Sequence, residues 1–313
     1  MGIASRLTEG DVRALARAIR LVEDRDPQAE EIIRDVRGRA GTAAVIGITG
    51  PPGSGKSTVC DRLITAWRRD GHRVGVIAVD PSSPFTGGAI LGDRVRMQRH
   101  TGDDGVYIRS MAARGHLGGL ASAAREAIRL IEASCRDRCL LETVGVGQSE
   151  LEVMQTADTT VVVTTPIAGD SVQIIKAGIL EIADIFVVNK ADVPGAAKVA
   201  RELRDLARQT KGHAAWQTPV IQTVGTTGDG IDDLLEAIER HHATITANGE
   251  LERRRRDRLR SEIEAIVVER ASERARRVMD EGTMGEELSG DLRGVDPYLL
   301  ADRILNHHTS DTN

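Results

Sequence analysis

Aromatic residues are nearly missing from this chain: two Phe, two Tyr and two Trp stand among 313 residues. Any core must therefore be built from Ala, Val, Ile and Leu, and with hydrophobic residues at 40% of the chain there are enough of them for a sizeable one. Cysteine is also scarce. Three thiols cannot all pair within the chain and none lies in a CxxC, which excludes a disulfide framework and points to a reducing cytoplasm. No stretch approaches the roughly 20 apolar residues that a spanning helix needs, and the opening MGIASRLTEGDVRALARAI lacks the apolar centre of a signal peptide. An excess of positive charge is absent too. The net charge of −5 argues against general nucleic-acid binding, so neither nucleic acid nor a membrane is expected as a partner. Internal repeats and low-complexity segments are lacking as well.

What is present is a change of texture along the chain. Residues 1–40 read as two helices, with Val12, Leu15, Ala16, Ile19 and Leu21 near helical spacing and Pro27 as a break. From Thr42 to about His242, seven β-rich runs alternate with helical stretches: AAVIGIT, VGVIAV, VYIR, CLLE, TTVVVTT, DIFVVN and PVIQTV. Continuous apolar strands separated by helices predict an α/β fold, a mostly parallel sheet flanked by helices on both faces. The 32 glycines suit such close packing. Residues 249–280 then form a highly charged helical stretch, and Asp296-Pro297 marks the start of a last short helix. The Arg253–Arg256 run has acidic neighbours in a helix that interleaves Glu with Arg, and it reads as a solvated helix face. Leu259, Ile263, Ile266 and Val267 make a narrow apolar stripe suited to packing on the main domain or on a second copy. The expected organisation is an N-terminal helical segment (1–40), a nucleotide-binding domain (41–245) and a C-terminal helical extension (246–313).

The chemistry lies in three motifs. Gly50-Pro51-Pro52-Gly53-Ser54-Gly55-Lys56-Ser57 follows the strand AAVIGIT and fits GxxxxGK[ST], the P-loop. Its glycines let successive amides turn inward as an anion nest, and the helix that follows with Thr58 aims its positive end at the phosphates. Lys56 is placed to reach the β- and γ-phosphates, and Ser57 to put its hydroxyl on Mg²⁺. Asn189-Lys190-Ala191-Asp192 follows the strand DIFVV and selects the base. Guanine offers two donors, N1–H and the 2-amino group, which one carboxylate accepts; adenine has no amino group there. Asp192 thus favours GTP, Asn189 braces the loop and the stem of Lys190 lies on the base, with Thr223-Val224-Gly225 closing the site. Between these, Glu142-Thr143-Val144-Gly145 occupies the place of an acidic Mg²⁺-side residue and a glycine that senses the γ-phosphate, with Glu where most GTPases carry Asp.

The strings VDPSSPFTGGAILGDRVRM (79–97), ETVGVGQSE (142–150) and AGDSVQIIKAGILEIADIFVVNKAD (168–192) resemble the MeaB/MMAA, or ArgK-type, family of P-loop GTPases. The resemblance runs from about residue 40 to 245. It implies a Mg²⁺-dependent GTPase that escorts an adenosylcobalamin-dependent acyl-CoA mutase, methylmalonyl-CoA mutase or a relative, and gates cofactor loading and repair. By the same resemblance Asp80 and Asp93 help hold Mg²⁺, while Asp170, Gln173 and Lys176 relay nucleotide state to the partner and support hydrolysis. Ser171 departs from the acidic residue more common there. A homodimer built through the C-terminal extension is implied as well. Hydrolysis is expected to be slow alone; the sequence shows no clear general base, and Arg94, Arg96 and Arg114 are the arginine-finger candidates. Two other readings stay open at this level. A nickel metallochaperone GTPase would need metal ligands, for which only Cys135/Cys139, His241-His242 and His307-His308 offer themselves. An ATP-dependent small-molecule kinase is opposed by the Asn189–Asp192 motif.

Overall fold

Runs rich in Val and Ile have too few polar side chains to face water on either side, so they form strands buried on both faces. In the computed structural model, which describes residues 2–39, 41–80, 98–100, 102–112, 119–143, 154–166, 179–211, 215–280 and 296–306, all seven predicted runs are strands. They are β1 (Ala44–Thr49), β2 (Val74–Asp80), β3 (Val106–Ala112), β4 (Arg138–Thr143), β5 (Thr159–Thr164), β6 (Ile185–Asn189) and β7 (Val220–Thr223). The sheet order is β3-β2-β4-β1-β5-β6-β7 and every pairing is parallel. The chain leaves β1 for β2 on one side, hopping over β4, and leaves β4 for β5 on the other, hopping over β1. That reversal opens a crevice at the carboxyl ends of the central strands, where ligands of doubly wound sheets bind.

Residue parity assigns the two faces. Ile46, Ile48, Val74, Val76, Leu140, Val161, Val163, Ile185 and Val187 pack with α4 (Lys56–Arg69) and α8 (Ile231–Ala247) in one core that includes Trp67. Their neighbours Val45, Ile77, Val79, Cys139 and Leu141 face the other way. They join α5 (Gly119–Ala133) and the N-terminal helices, while Val162, Phe186 and Val188 join α7 (Ala196–Lys211), which follows the one-turn α6 (Ile179–Ile182).

The N-terminal segment holds three α-helices where two were expected: α1 (Ile3–Thr8), α2 (Val12–Glu23) and α3 (Pro27–Val36). The extra break comes from Asp11, whose carboxylate accepts from the amides of Arg13 (2.7 Å) and Ala14 (3.1 Å) and so starts a new helix. Leu15, Ile19 and Leu21 are buried as their spacing predicts, whereas Val12 at the first turn is exposed.

Two compact units divide the chain, Met1–Arg254 and Arg255–Asn313. The long helix α9 (Glu250–Asp280) begins in the first, and α10 (Pro297–Asn306) belongs to the second. Asp296 caps α10 as its sequence predicts, accepting from the amide of Tyr298 at 2.8 Å. Leu259, Ile263 and Val267 of the predicted stripe are 49%, 52% and 59% exposed, so among the described residues they form no core. No described helix is long and apolar enough to cross a membrane.

The amino ends of the strands are stitched by buried charge. Asp184, just before β6, accepts from the Thr160 amide (2.9 Å) and from both terminal nitrogens of Arg254 (3.1 and 3.2 Å). His241 Nε2 lies 3.3 Å from the same carboxylate, and its Nδ1 meets the Thr159 hydroxyl at 2.8 Å. Burial alone would raise the pKa of Asp184, but His241 and Arg254 outweigh it and pull it well below the usual carboxylate range. A depressed carboxylate pKa contributes stability that is present above its unfolded value and lost as pH falls through the folded one. Arg254→Met is therefore expected to cost about 3 kcal/mol at neutral pH, the size seen when one partner of a buried pair is removed. In chemical denaturation the gap to the parent chain narrows as pH falls below about 4; an equal gap at both pH values would contradict this account.

Candidate functional site

The P-loop closes the carboxyl end of β1 and runs into α4. Gly50 has φ 143°, and a Cβ there would run into the backbone carbonyl of Val163 on β5. Gly55, at φ 89°, is the residue before α4, and a Cβ on it would collide with the Asn189 amide nitrogen. The tight approach of the loop to β5 and β6 thus demands glycine at both places. Lys56 is buried, its ammonium donating to the carbonyls of Gly50 (2.9 Å) and Pro51 (3.1 Å) inside the loop. The Ser54 hydroxyl is buried and has no hydrogen-bond partner among the described residues, which suits a group that serves a ligand.

At the neighbouring strand end the Ser57 hydroxyl donates to Glu142 at 2.7 Å, both side chains being buried. β1 and β4 pair Ile48 with Glu142, so the sheet register itself brings the carboxylate beside the first turn of α4. A hydroxyl and a carboxylate side by side are hard oxygen donors of the kind Mg²⁺ takes, and the pair fits the ion. Glu142, longer than the Asp usual there, reaches the Ser57 hydroxyl.

The base-side loops are knitted to the P-loop. Asn189, at the end of β6, donates to the Ser54 carbonyl (2.8 Å) and accepts from the Thr223 hydroxyl (3.1 Å) and the Gly225 amide (3.0 Å). Lys190 has φ 58° and reaches the Gly53 carbonyl at 3.0 Å. A left-handed conformation in a residue other than glycine is strain of the sort concentrated at functional sites. Asp192 is exposed two residues further on, and Val224 closes its own turn by accepting from the amides of Thr227 and Gly228. Gly50, Gly53, Ser54, Gly55, Lys56, Ser57, Thr58, Glu142, Asn189, Lys190, Thr223, Val224 and Gly225 are therefore all on one end of the sheet.

Asp93, Gly145, Asp170, Gln173 and Lys176, with the arginines 94, 96 and 114, lie outside the described residues. Asp80 ends β2 opposite Ala112 of β3, and only its backbone is described. Two contacts have no signature in the motifs. Asp61, almost wholly buried on α4, pairs with Arg99 and with His100 (3.0 Å), and Arg62 holds the loop after β7. The four-residue step from Ser57 to Asp61 marks a shared helix face, but nothing in spacing names distant partners. Of the thiols weighed as metal ligands, Cys139 is buried and Cys135 is exposed at a turn. His241 is committed to Thr159 and Asp184.

Comparison with known proteins shows the family to which the chain belongs. The family model described as "Methylmalonyl Co-A mutase-associated GTPase MeaB" matches residues 15–280. A putative GTPase of Pyrococcus horikoshii is 48% identical, with 97% of this chain and 96% of that protein covered. The GTPase ArgK of Escherichia coli is 37% identical, covering 84% and 83%. A mitochondrial methylmalonic aciduria type A homolog of Mus musculus is 35% identical, covering 80% and 64%. Among solved structures, that of an LAO/AO transport system kinase superposes with a TM-score of 0.68 at 27% identity, covering 97% and 96%.

Proposed function

Because the chain belongs to the MeaB family of GTPases, we propose that it is the GTP-driven chaperone of an adenosylcobalamin-dependent acyl-CoA mutase, methylmalonyl-CoA mutase or a close relative. The match over residues 15–280 to a family named for that association carries the reading, and the shared end of the sheet supports it. In this reading the Asn189–Asp192 loop and Thr223–Gly225 hold guanine, and the P-loop amides hold the phosphates. Ser57 and Glu142, joined by Asp80 and Asp93, would hold Mg²⁺. The ion supplies charge neutralisation on the phosphate oxygens.

Lys56 brings a second positive charge to the β–γ region, where negative charge grows as the γ-phosphoryl group departs and water attacks in line. Gly145 senses the γ-phosphate, and Asp170, Gln173 and Lys176 pass nucleotide state to the mutase and assist hydrolysis. The nucleotide state then gates cofactor loading and the release of damaged cofactor. The protein acts in the cytoplasm, as a homodimer in which exposed Leu259, Ile263 and Val267 meet a second copy.

GTP turnover with and without a purified adenosylcobalamin-dependent mutase, with ATP as control, tests this directly. Slow turnover that the mutase raises at least about tenfold, with GTP alone, is expected from partner-assisted phosphoryl transfer. Fast turnover by the isolated chain, or indifference to every acyl-CoA mutase of this class, would overturn the chaperone reading. Light scattering on the same sample should give the mass of two chains, and a monomer at high concentration would remove the dimer.

A further inference from the structure

The loop that follows β7 is held from two directions. On one side Asn189 accepts from the Gly225 amide. On the other, Arg62 of α4 donates from Nε to the Gly225 carbonyl at 2.9 Å and from Nη2 to the Thr226 carbonyl. Among the described residues Arg62 pairs with no carboxylate; its guanidinium fork is spent on two successive carbonyls of this one loop. The fit is close elsewhere too. A Cβ on Gly225 would lie 3.1 Å from the methyl group of Thr58, one turn earlier on the same helix. The loop itself is closed by the Val224 amide on the Asp229 carbonyl (2.9 Å) and the Gly228 amide on the Val224 carbonyl (2.8 Å). These bonds close it into a compact turn, and its anchorage to α4 is Arg62.

We propose that Arg62 is a positioning residue for nucleotide retention, fastening the base-side loop to the helix whose first turn binds the phosphates. The inference rests on Thr223–Gly225 facing the guanine. The two halves of the nucleotide grip are otherwise joined through Asn189 and Lys190 on β6 and its following loop. A brace through α4 couples them a second time, so that releasing the base requires the loop to part from the phosphate helix. Charge-assisted bonds from a forked donor suit this task, because they fix direction as well as distance. Because the brace lies on the base side, away from the γ-phosphate, it acts alike on GTP and GDP.

The test is Arg62→Ala and Arg62→Lys in the full chain, with fluorescent GDP and GTP analogues, steady-state GTP hydrolysis and thermal melts. For Arg62→Ala, Kd for both nucleotides and KM for GTP rise about tenfold, the size one charge-assisted hydrogen bond supplies. GDP dissociates faster by the same factor, while kcat at saturating GTP stays within about twofold, the signature of lost binding rather than lost chemistry. Lysine reaches only one carbonyl, so Arg62→Lys falls between and keeps the proposal testable should the alanine variant fold poorly. Unchanged Kd and GDP dissociation in both folded variants would overturn the proposal, as would a fall in kcat with KM unaltered. Failure of the parent chain to prefer GDP over ADP would instead strike the guanine reading.

Discussion

Asp192→Asn is expected to lower kcat/KM for GTP by about 10²–10³-fold, about 3–4 kcal/mol, while making xanthosine triphosphate a substrate, since the bond from the 2-amino group is lost and N1–H keeps only a neutral acceptor. The chemistry is one of matching edges. Guanine presents two donors, N1–H and the 2-amino group, and a carboxylate accepts both. An amide presents one acceptor and one donor. Xanthine, with N1–H beside a 2-oxo group, is its complement, so affinity moves from one base to the other. Asp192 is exposed and no shift of its backbone is needed to accommodate the change. The measurement is kcat/KM for GTP, XTP and ATP on the parent and the variant. Loss of GTP use without gain of XTP use would mean that Asp192 does not face the base edge.

Lys56→Met separates function from stability. Lys56 is 6% exposed, its ammonium folded onto two carbonyls of its own loop. A methionine of similar length fills the same channel, and not having to bury a charge offsets the loss of the donor to the two loop carbonyls. The melting temperature should therefore stay within about 3 °C, less than about 1 kcal/mol for a domain of this size. Hydrolysis should fall by about 10²–10³-fold, as when one group that stabilises transition-state charge is deleted. Near-parental turnover would remove Lys56 from the mechanism. An activity loss matched by a large drop in melting temperature would reduce its role to folding.

The strands and the P-loop were open to reading because their information is local. A strand buried on both faces must be largely apolar, as β6 is from Ile185 to Val188. A phosphate nest must carry glycines at fixed offsets. The same holds for the cap at Asp296. The count of N-terminal helices escaped because Asp11 can sit inside a helix or cap one, and only its two bonds to Arg13 and Ala14 decide.

Sequence alone determined the fold class, the phosphate and base motifs, and through three long strings the family to which the chain belongs. Tertiary structure decided which distant groups cooperate. It set Glu142 against Ser57 through the register of β1 and β4, Asp184 against His241 and Arg254 beneath the sheet, and Arg62 against Gly225 across 163 residues of chain. Spacing along a strand or helix follows from backbone geometry and repeats wherever the pattern does. A contact between separate elements depends on how whole faces pack, and no single residue type announces its partner.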